Sequence, residues 1–377
     1  MIPVNEPWLG KEEFKKVNAC LKSNWISSQG KYLTEFEEKF AHYCGVRYGI
    51  STTSGTTALH LALVVLGVGP GDEVLIPTFT MAATAFAVAY CGAKPVFIDS
   101  EPETFNLDLD RVSSYLRLQE RREKLKVKAI LPVHMYGHPV DMAPLLETAE
   151  KFSIAVIEDA AEAHGAEYKG KRCGSFGSLG CFSFYANKII TTGEGGMVVT
   201  DDPLLADKAR RLKDLAHAPG KRFLHTELGF NYRMTNLQAA LGVAQLKKIN
   251  THIKKKRWIA REYEKGLKGV SGLRLPIEKS WAKNVYWMYG VLVEPAFGLG
   301  RDELMDRLKQ RGIETRSFFI PMHLQPVFNP SAKNSRHYGP YPVAETIAQQ
   351  GFYLPSGLTL SRDQIQHICL QIKKLVP

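Results

Sequence analysis

Long hydrophobic runs are missing from this 377-residue chain. The longest, FTMAATAFAVAYCGA at 79–93, is too short to cross a bilayer and rich in small residues, which predicts a buried helix. The N-terminal MIPVNEPWLGKEEF has no apolar signal core. Cys-x-x-Cys spacing is missing as well. Cys20, Cys44, Cys91, Cys173, Cys181 and Cys369 are scattered, the pattern of reduced thiols in a cytoplasmic protein rather than of a disulfide framework or zinc site. His134 and His138 of HMYGH stand four apart, but the glutamate of an H-E-x-x-H motif is absent. Gly137 and Pro139 also argue against the helix such a motif needs, so no metal is expected. No Gly-Lys-Ser/Thr follows glycines at phosphate-loop spacing. The glycines of LGVGPGDEV precede a strand, whereas a dinucleotide fingerprint follows one.

What is present is ordinary for a globular protein: 45% hydrophobic and 23% charged residues, with length for two or three domains and a large core. The formal net charge is +11, with basic clusters in RLQERREKLKVK (117–128) and KKINTHIKKKRW (247–258). Both read as helical surface. Neither has the interleaved aromatics of a single-strand platform or a groove-reading motif, so nucleic acid is not an expected partner. A positive field does favour a phosphorylated substrate.

The first two thirds alternate short apolar runs with amphipathic segments. DEVLIP, KPVFID, KAILPVH, IAVIED, CFSFYA and GMVVTD read as buried strands, mostly separated by helices. This predicts an α/β fold with a mostly parallel sheet between helices, and ligands beyond the strands' carboxyl ends. TEFEEKFAHYCG reads as a helix starting at Thr34, with Glu37 completing a capping box. The texture changes near residue 245, so the expected division is a large domain over 1–245 and a smaller α+β domain over 246–377.

Three places could carry chemistry. Asp159 ends IAVIED, aimed at the expected crevice or capping a following helix. STTSGTTALH puts Gly55, Thr56 and small hydroxyls at a helix start, where amides and dipole favour phosphate or where a serine simply caps. Lys188 of FYANKIITTGEGGMVV reads as a phosphate-gripping lysine, a solvated turn lysine, or an amine nucleophile. A strand rather than a helix follows it, which weakens the first reading. Taken together, Lys188, the Ser-Gly-Thr-Thr segment with Ser183, and Asp159 describe a pyridoxal phosphate site.

The segments EDAAEAHGAEYKGKRCGSFG, CFSFYANKIITTGEGGMVVTDD and LGFNYRMTNLQAALGVAQL resemble the DegT/DnrJ/EryC1/StrS sugar aminotransferases over nearly the whole chain. The resemblance implies the aspartate-aminotransferase-like fold (fold type I), with a mixed, mostly parallel seven-stranded sheet. It also implies pyridoxal 5′-phosphate, passing through its pyridoxamine form, and a homodimer with shared active sites. Lys188 would condense with the cofactor aldehyde and carry the proton. Asp159 would pair with the pyridine nitrogen, and Glu162 would lie near the ring's 3′ oxygen, sharing a proton that raises its pKa. Gly55, Thr56 and Ser183 would hold the phosphate, with Asn231 reaching it from the neighbouring subunit. Arg316 and His323 would contact the sugar nucleotide. Four positions depart from common family patterns: Glu162 where many have glutamine, Met81 where an aromatic often covers the ring, and Ser317 and Ile320 in RSFFIPMH, where relatives often have proline and tyrosine.

The subgroup most like this chain aminates C4 of GDP-4-keto-6-deoxy-D-mannose with nitrogen from L-glutamate. C4 or C3 amination of a UDP- or dTDP-linked keto sugar is the alternative. A lysine at 188 argues against the dehydratases that carry histidine there. A cofactor-binding regulator would carry an added DNA-binding region, and none is expected here.

Overall fold

The computed structural model describes residues 1–121, 125–328 and 339–376. Seven strands form the main sheet, in the order Tyr48–Thr52, Gly196–Thr200, Leu179–Ser183, Ala155–Asp159, Val127–Ile130, Glu73–Pro77, Lys94–Ile98. Gly196–Thr200 runs antiparallel to both neighbours, and the remaining pairings are parallel. The mixed, mostly parallel α/β sheet read from the sequence is therefore the one observed.

Alternation along the strands explains the layers. Val74 and Ile76 join one apolar core, while Leu75 between them joins another with Val96, Ile130 and Val156. A sheet with two apolar faces needs helices on both. The helices Gly55–Val65 and Asn236–Leu246 feed the first core, and Leu109–Arg121 and Met142–Lys151 the second.

A third core gathers residues from Ile259 to Leu375. It forms around an antiparallel sheet in the order Leu273–Arg274, Tyr289–Val293, Gly351–Leu354, Arg316–Ser317. The helices Ile249–Leu267 and Arg362–Lys373 cover it.

Several local expectations need correction. The helix expected from Thr34 begins a turn earlier, at Lys31, after Gly30 at φ 143°. Glu37 does not complete a capping box. Its carboxylate accepts from the Ser51 amide and hydroxyl and from Lys213 Nζ, at 2.7, 2.6 and 2.8 Å. The cluster at 117–128 is helical only to Arg121, and Val127 opens a strand; residues 122–124 lie outside the described residues. Within 79–93 the helix is Ala82–Tyr90, burying Thr84, Ala85, Ala87 and Val88 and exposing Tyr90. Among the described residues, no helix is long and apolar enough to cross a membrane.

Candidate active site

The parallel strands deliver their carboxyl ends to one crevice, as doubly wound sheets do. Asp159 and Ser183 are the last residues of their strands. The crevice is a cavity of about 630 Å3, a size suited to a small organic ligand. Gly55, Thr56, Asp159, Glu162, Ser183 and Lys188 all line it. Arg316, Tyr353 and Trp287 close it from the C-terminal side.

The helix Gly55–Val65 opens onto the cavity. Ser54 caps it, accepting from the Thr57 amide at 3.2 Å, while the Thr57 hydroxyl accepts from the Ser54 amide at 3.0 Å. Capping thus engages Ser54 and Thr57. The Gly55 and Thr56 amides remain at the mouth, beyond reach of intrahelical bonds. A Cβ on Gly55 would stand 2.7 Å from the Ser183 Cβ. Glycine therefore lets the helix start close against Ser183, grouping two amides, a hydroxyl and the positive dipole end. That set suits a phosphate. The serine-cap and phosphate readings of this segment are compatible, on neighbouring residues.

Asp159 does not cap a helix, because a turn follows it. One carboxylate oxygen accepts from Thr84 Oγ1 at 2.8 Å and the other from the Ala161 amide at 3.1 Å. Burial pushes its pKa up, opposed by Thr84, Ala161 and the Lys188 charge. Glu162 is also buried. Burial pushes its pKa up to about 7, against the pull of Lys188 and the Tyr136 N–H. That N–H donates to Glu162 Oε2 at 2.8 Å from a residue at φ 53°, in the sparsely populated left-handed region.

Lys188 stands beyond its strand, in a turn where its amide donates to Tyr185 O at 2.9 Å. The following residues are tightly folded. Thr191 Oγ1 donates to Phe184 O at 2.9 Å and accepts from the Gly193 amide at 2.9 Å, with Gly193 at φ 81°. The Lys188 Nζ lies 3.9 Å from Glu162 Oε1. Burial pushes its amine below the ordinary lysine value, and Glu162 and Asp159 pull it back up. A lysine whose amine burial pushes below its ordinary value, beside the Glu162 carboxyl at a cavity floor, is placed to act as nucleophile and proton carrier.

The other expected residues are placed differently. Arg316 is at the rim, its side chain 60% exposed and 3.9 Å from Glu314. Met81, Ser317 and Ile320 line the cavity. His323 does not. Its ring stacks on Tyr341, with Nδ1 2.7 Å from the Thr78 hydroxyl and Nε2 3.2 Å from Glu345. Asn231 lies outside this cavity, exposed, accepting from Arg233 Nε at 3.0 Å. His134 pairs with Glu158 at 3.0 Å and His138 Nδ1 lies 2.8 Å from Pro139 O.

No local signal in the sequence marks Thr84, Tyr136, Trp287 or Asn187. Tyr136 lies inside HMYGH, between two histidines at i, i+4 spacing. Asn187 directly precedes Lys188, and its Oδ1 is buried with no hydrogen-bond partner among the described residues.

A family model described as the DegT/DnrJ/EryC1/StrS aminotransferase family matches residues 7–373. The chain is 41% identical over 376 residues to GDP-perosamine synthase of Caulobacter vibrioides, covering 100% of this chain and 98% of that protein. It is 42% identical over 373 residues to GDP-perosamine synthase of Escherichia coli O157:H7, covering 99% and 98%. The solved structure of DesV from S. venezuelae, in complex with a ketimine intermediate, superimposes with a TM-score of 0.88 at 35% identity, covering 96% of this chain and 94% of that one.

Proposed function

The chain belongs to the DegT/DnrJ/EryC1/StrS aminotransferase family, and on that premise we propose that it moves the amino group of L-glutamate to C4 of GDP-4-keto-6-deoxy-D-mannose. The broader activity is that of a pyridoxal-phosphate-dependent sugar-nucleotide aminotransferase. One observation carries the reading. A nearly buried lysine faces two buried carboxyl groups on the floor of a cavity whose mouth is a helix N-terminus.

The residues present fit the cofactor. Gly55, Thr56 and Ser183 match a phosphate, and a buried carboxylate at Asp159 matches a protonated pyridine nitrogen. Pyridoxal phosphate, when bound, supplies the electron sink that makes a carbon-bound proton removable, and it carries nitrogen between the two substrates.

The chain's own residues do the rest. The Thr84 hydroxyl and the Ala161 amide donate to the Asp159 carboxyl and favour its ionised form, which a cationic ring nitrogen needs. Lys188 takes up and returns a proton at Nζ, helped by an amine whose proton affinity burial has lowered. Tyr136 fixes one oxygen of Glu162 and leaves the other facing Lys188. Arg316 offers a cation at the rim for an anionic substrate. Phe318, Phe319 and Tyr353 wall the cavity against water. Asn231, exposed and outside this cavity, is positioned by this reading to serve the phosphate site of a second copy in a homodimer.

The test is product formation. The protein is incubated with L-glutamate and, separately, GDP-, UDP- and dTDP-linked 4-keto-6-deoxy sugars. Mass spectrometry should show ketone-to-amine conversion fastest with the GDP sugar. Faster conversion of a UDP or dTDP sugar would replace the nucleotide assignment, and conversion of none would refute the substrate class.

A further inference from the structure

We propose that Trp287 is the seat of the Lys188 ammonium, its indole face holding the charged amine beside Glu162 whenever Lys188 is not covalently engaged. The proposal rests on the reading of Lys188 as the catalytic amine. The Lys188 Nζ lies 3.7 Å from the Trp287 ring centroid and 3.9 Å from Glu162 Oε1. An aromatic face attracts a cation, and most strongly where water is excluded. Both side chains are largely withdrawn from water: the Lys188 side chain is 11% exposed and Trp287 only 4%.

The ring is held firmly. The Trp287 amide donates to Tyr136 O at 2.9 Å, and its carbonyl accepts from Lys256 Nζ at 2.8 Å. Its indole N–H donates to Asn187 O at 2.8 Å. Asn187 precedes Lys188, so the ring and the amine are tied to the same turn. Tyr136 takes the Trp287 amide on its carbonyl and gives its own amide to Glu162. Both neighbours of Nζ therefore hang from one residue in a left-handed conformation.

A ring face contributes what the carboxyl groups cannot. Burial disfavours the ammonium, while Glu162 and Asp159 favour it only when ionised, and burial pushes both toward their neutral forms. His164, which feels the Lys188 charge, has its pKa pushed down to about 3 by burial and by Lys188, and stays neutral. The indole attracts at every pH. It lets Lys188 hold a proton at Nζ even when Glu162 is protonated. An aliphatic side chain of similar bulk would exclude water and supply no such attraction.

The experiment uses the full-length chain freed of cofactor. Lys188 is labelled with acetic anhydride across a pH series, and its labelling midpoint is read by peptide mass spectrometry. Growth on 5-fluoro- and then 5,7-difluorotryptophan nearly preserves ring shape while weakening the face. The midpoint should fall stepwise, by about half to one pH unit in total. In Trp287→Leu it should fall by about one unit and stop responding to fluorination, with Trp287→Phe recovering part of the loss. A Lys188 midpoint unchanged across the fluorinated series overturns the proposal, whether or not the leucine variant folds. Because no turnover is measured, this failure is distinct from failure of the transaminase reading, which product formation decides.

Discussion

Lys188 and Lys256 are both withdrawn from water, and their surroundings separate them. Lys188 faces the crevice at the ends of the main sheet, and Lys256 lies on the Ile249–Leu267 helix beside the C-terminal sheet. Burial lowers the pKa of both, in Lys256 to about 7. Lys256 donates to two carbonyls, Trp287 O at 2.8 Å and Ser356 O at 2.6 Å, and has no ion pair among the described residues. Lys188 has Glu162 at 3.9 Å, Asp159 close by, and an open cavity. A depressed proton affinity alone therefore does not mark a nucleophile. Access and a partner that exchanges protons do.

The sharpest way to break this contrast is to remove each amine. Lys188→Ala should lower kcat by at least about 10³-fold in a coupled glutamate assay. Lys256→Met should keep kcat within roughly tenfold and lower the melting temperature, because two buried carbonyls lose their donor. Comparable kcat losses in the two would erase the distinction.

Next in size is the carboxylate. Asp159→Asn should cut kcat by about 10²- to 10³-fold, since a neutral amide no longer favours a cationic ring nitrogen. Full activity would mean that Asp159 serves only Thr84 and Ala161.

A smaller effect concerns Glu162. Its pKa of about 7 places a protonation step in the working range. Glu162→Gln should remove that step from the pH dependence of the holoenzyme's visible absorbance, and an unchanged titration would show the step belongs elsewhere.

The smallest effect is on stability. Lys256 titrates near 7 when folded and near 10.5 when unfolded. Between those values the unfolded chain binds more protons. This group's contribution is therefore least favourable below pH 7 and improves as pH rises toward 10.5. In urea unfolding, the stability of wild type relative to Lys256→Met should therefore rise as pH climbs from about 7 toward 10.5, and a constant difference would contradict the shift.

The sequence made the sheet and the cavity floor legible, for reasons of period and position. Strand alternation shows as short apolar runs, and Asp159 and Ser183 fall at strand ends, where the fold aims them at the crevice. The strand that follows Lys188 weakens a phosphate-loop reading there, and the Ser-Gly-Thr-Thr segment, Ser183 and Asp159 together complete the amine reading. What stayed hidden depends on residues far apart in the chain. Trp287 meets Lys188 from 99 positions away, and nothing in YWMYGVLVEP marks that contact. The family resemblance implies a sugar-nucleotide contact at His323, whereas in the structure Thr78, Glu345 and Tyr341 engage its ring. The Thr34 capping box satisfied a local rule, yet Ser51 and Lys213 captured Glu37.

The direct test of Lys188 as the working amine is borohydride reduction of the holoenzyme, which fixes the cofactor to the lysine that carries it. Peptide mass spectrometry should place the added mass on Lys188. Added mass on Lys256, or on any other lysine, would contradict the account.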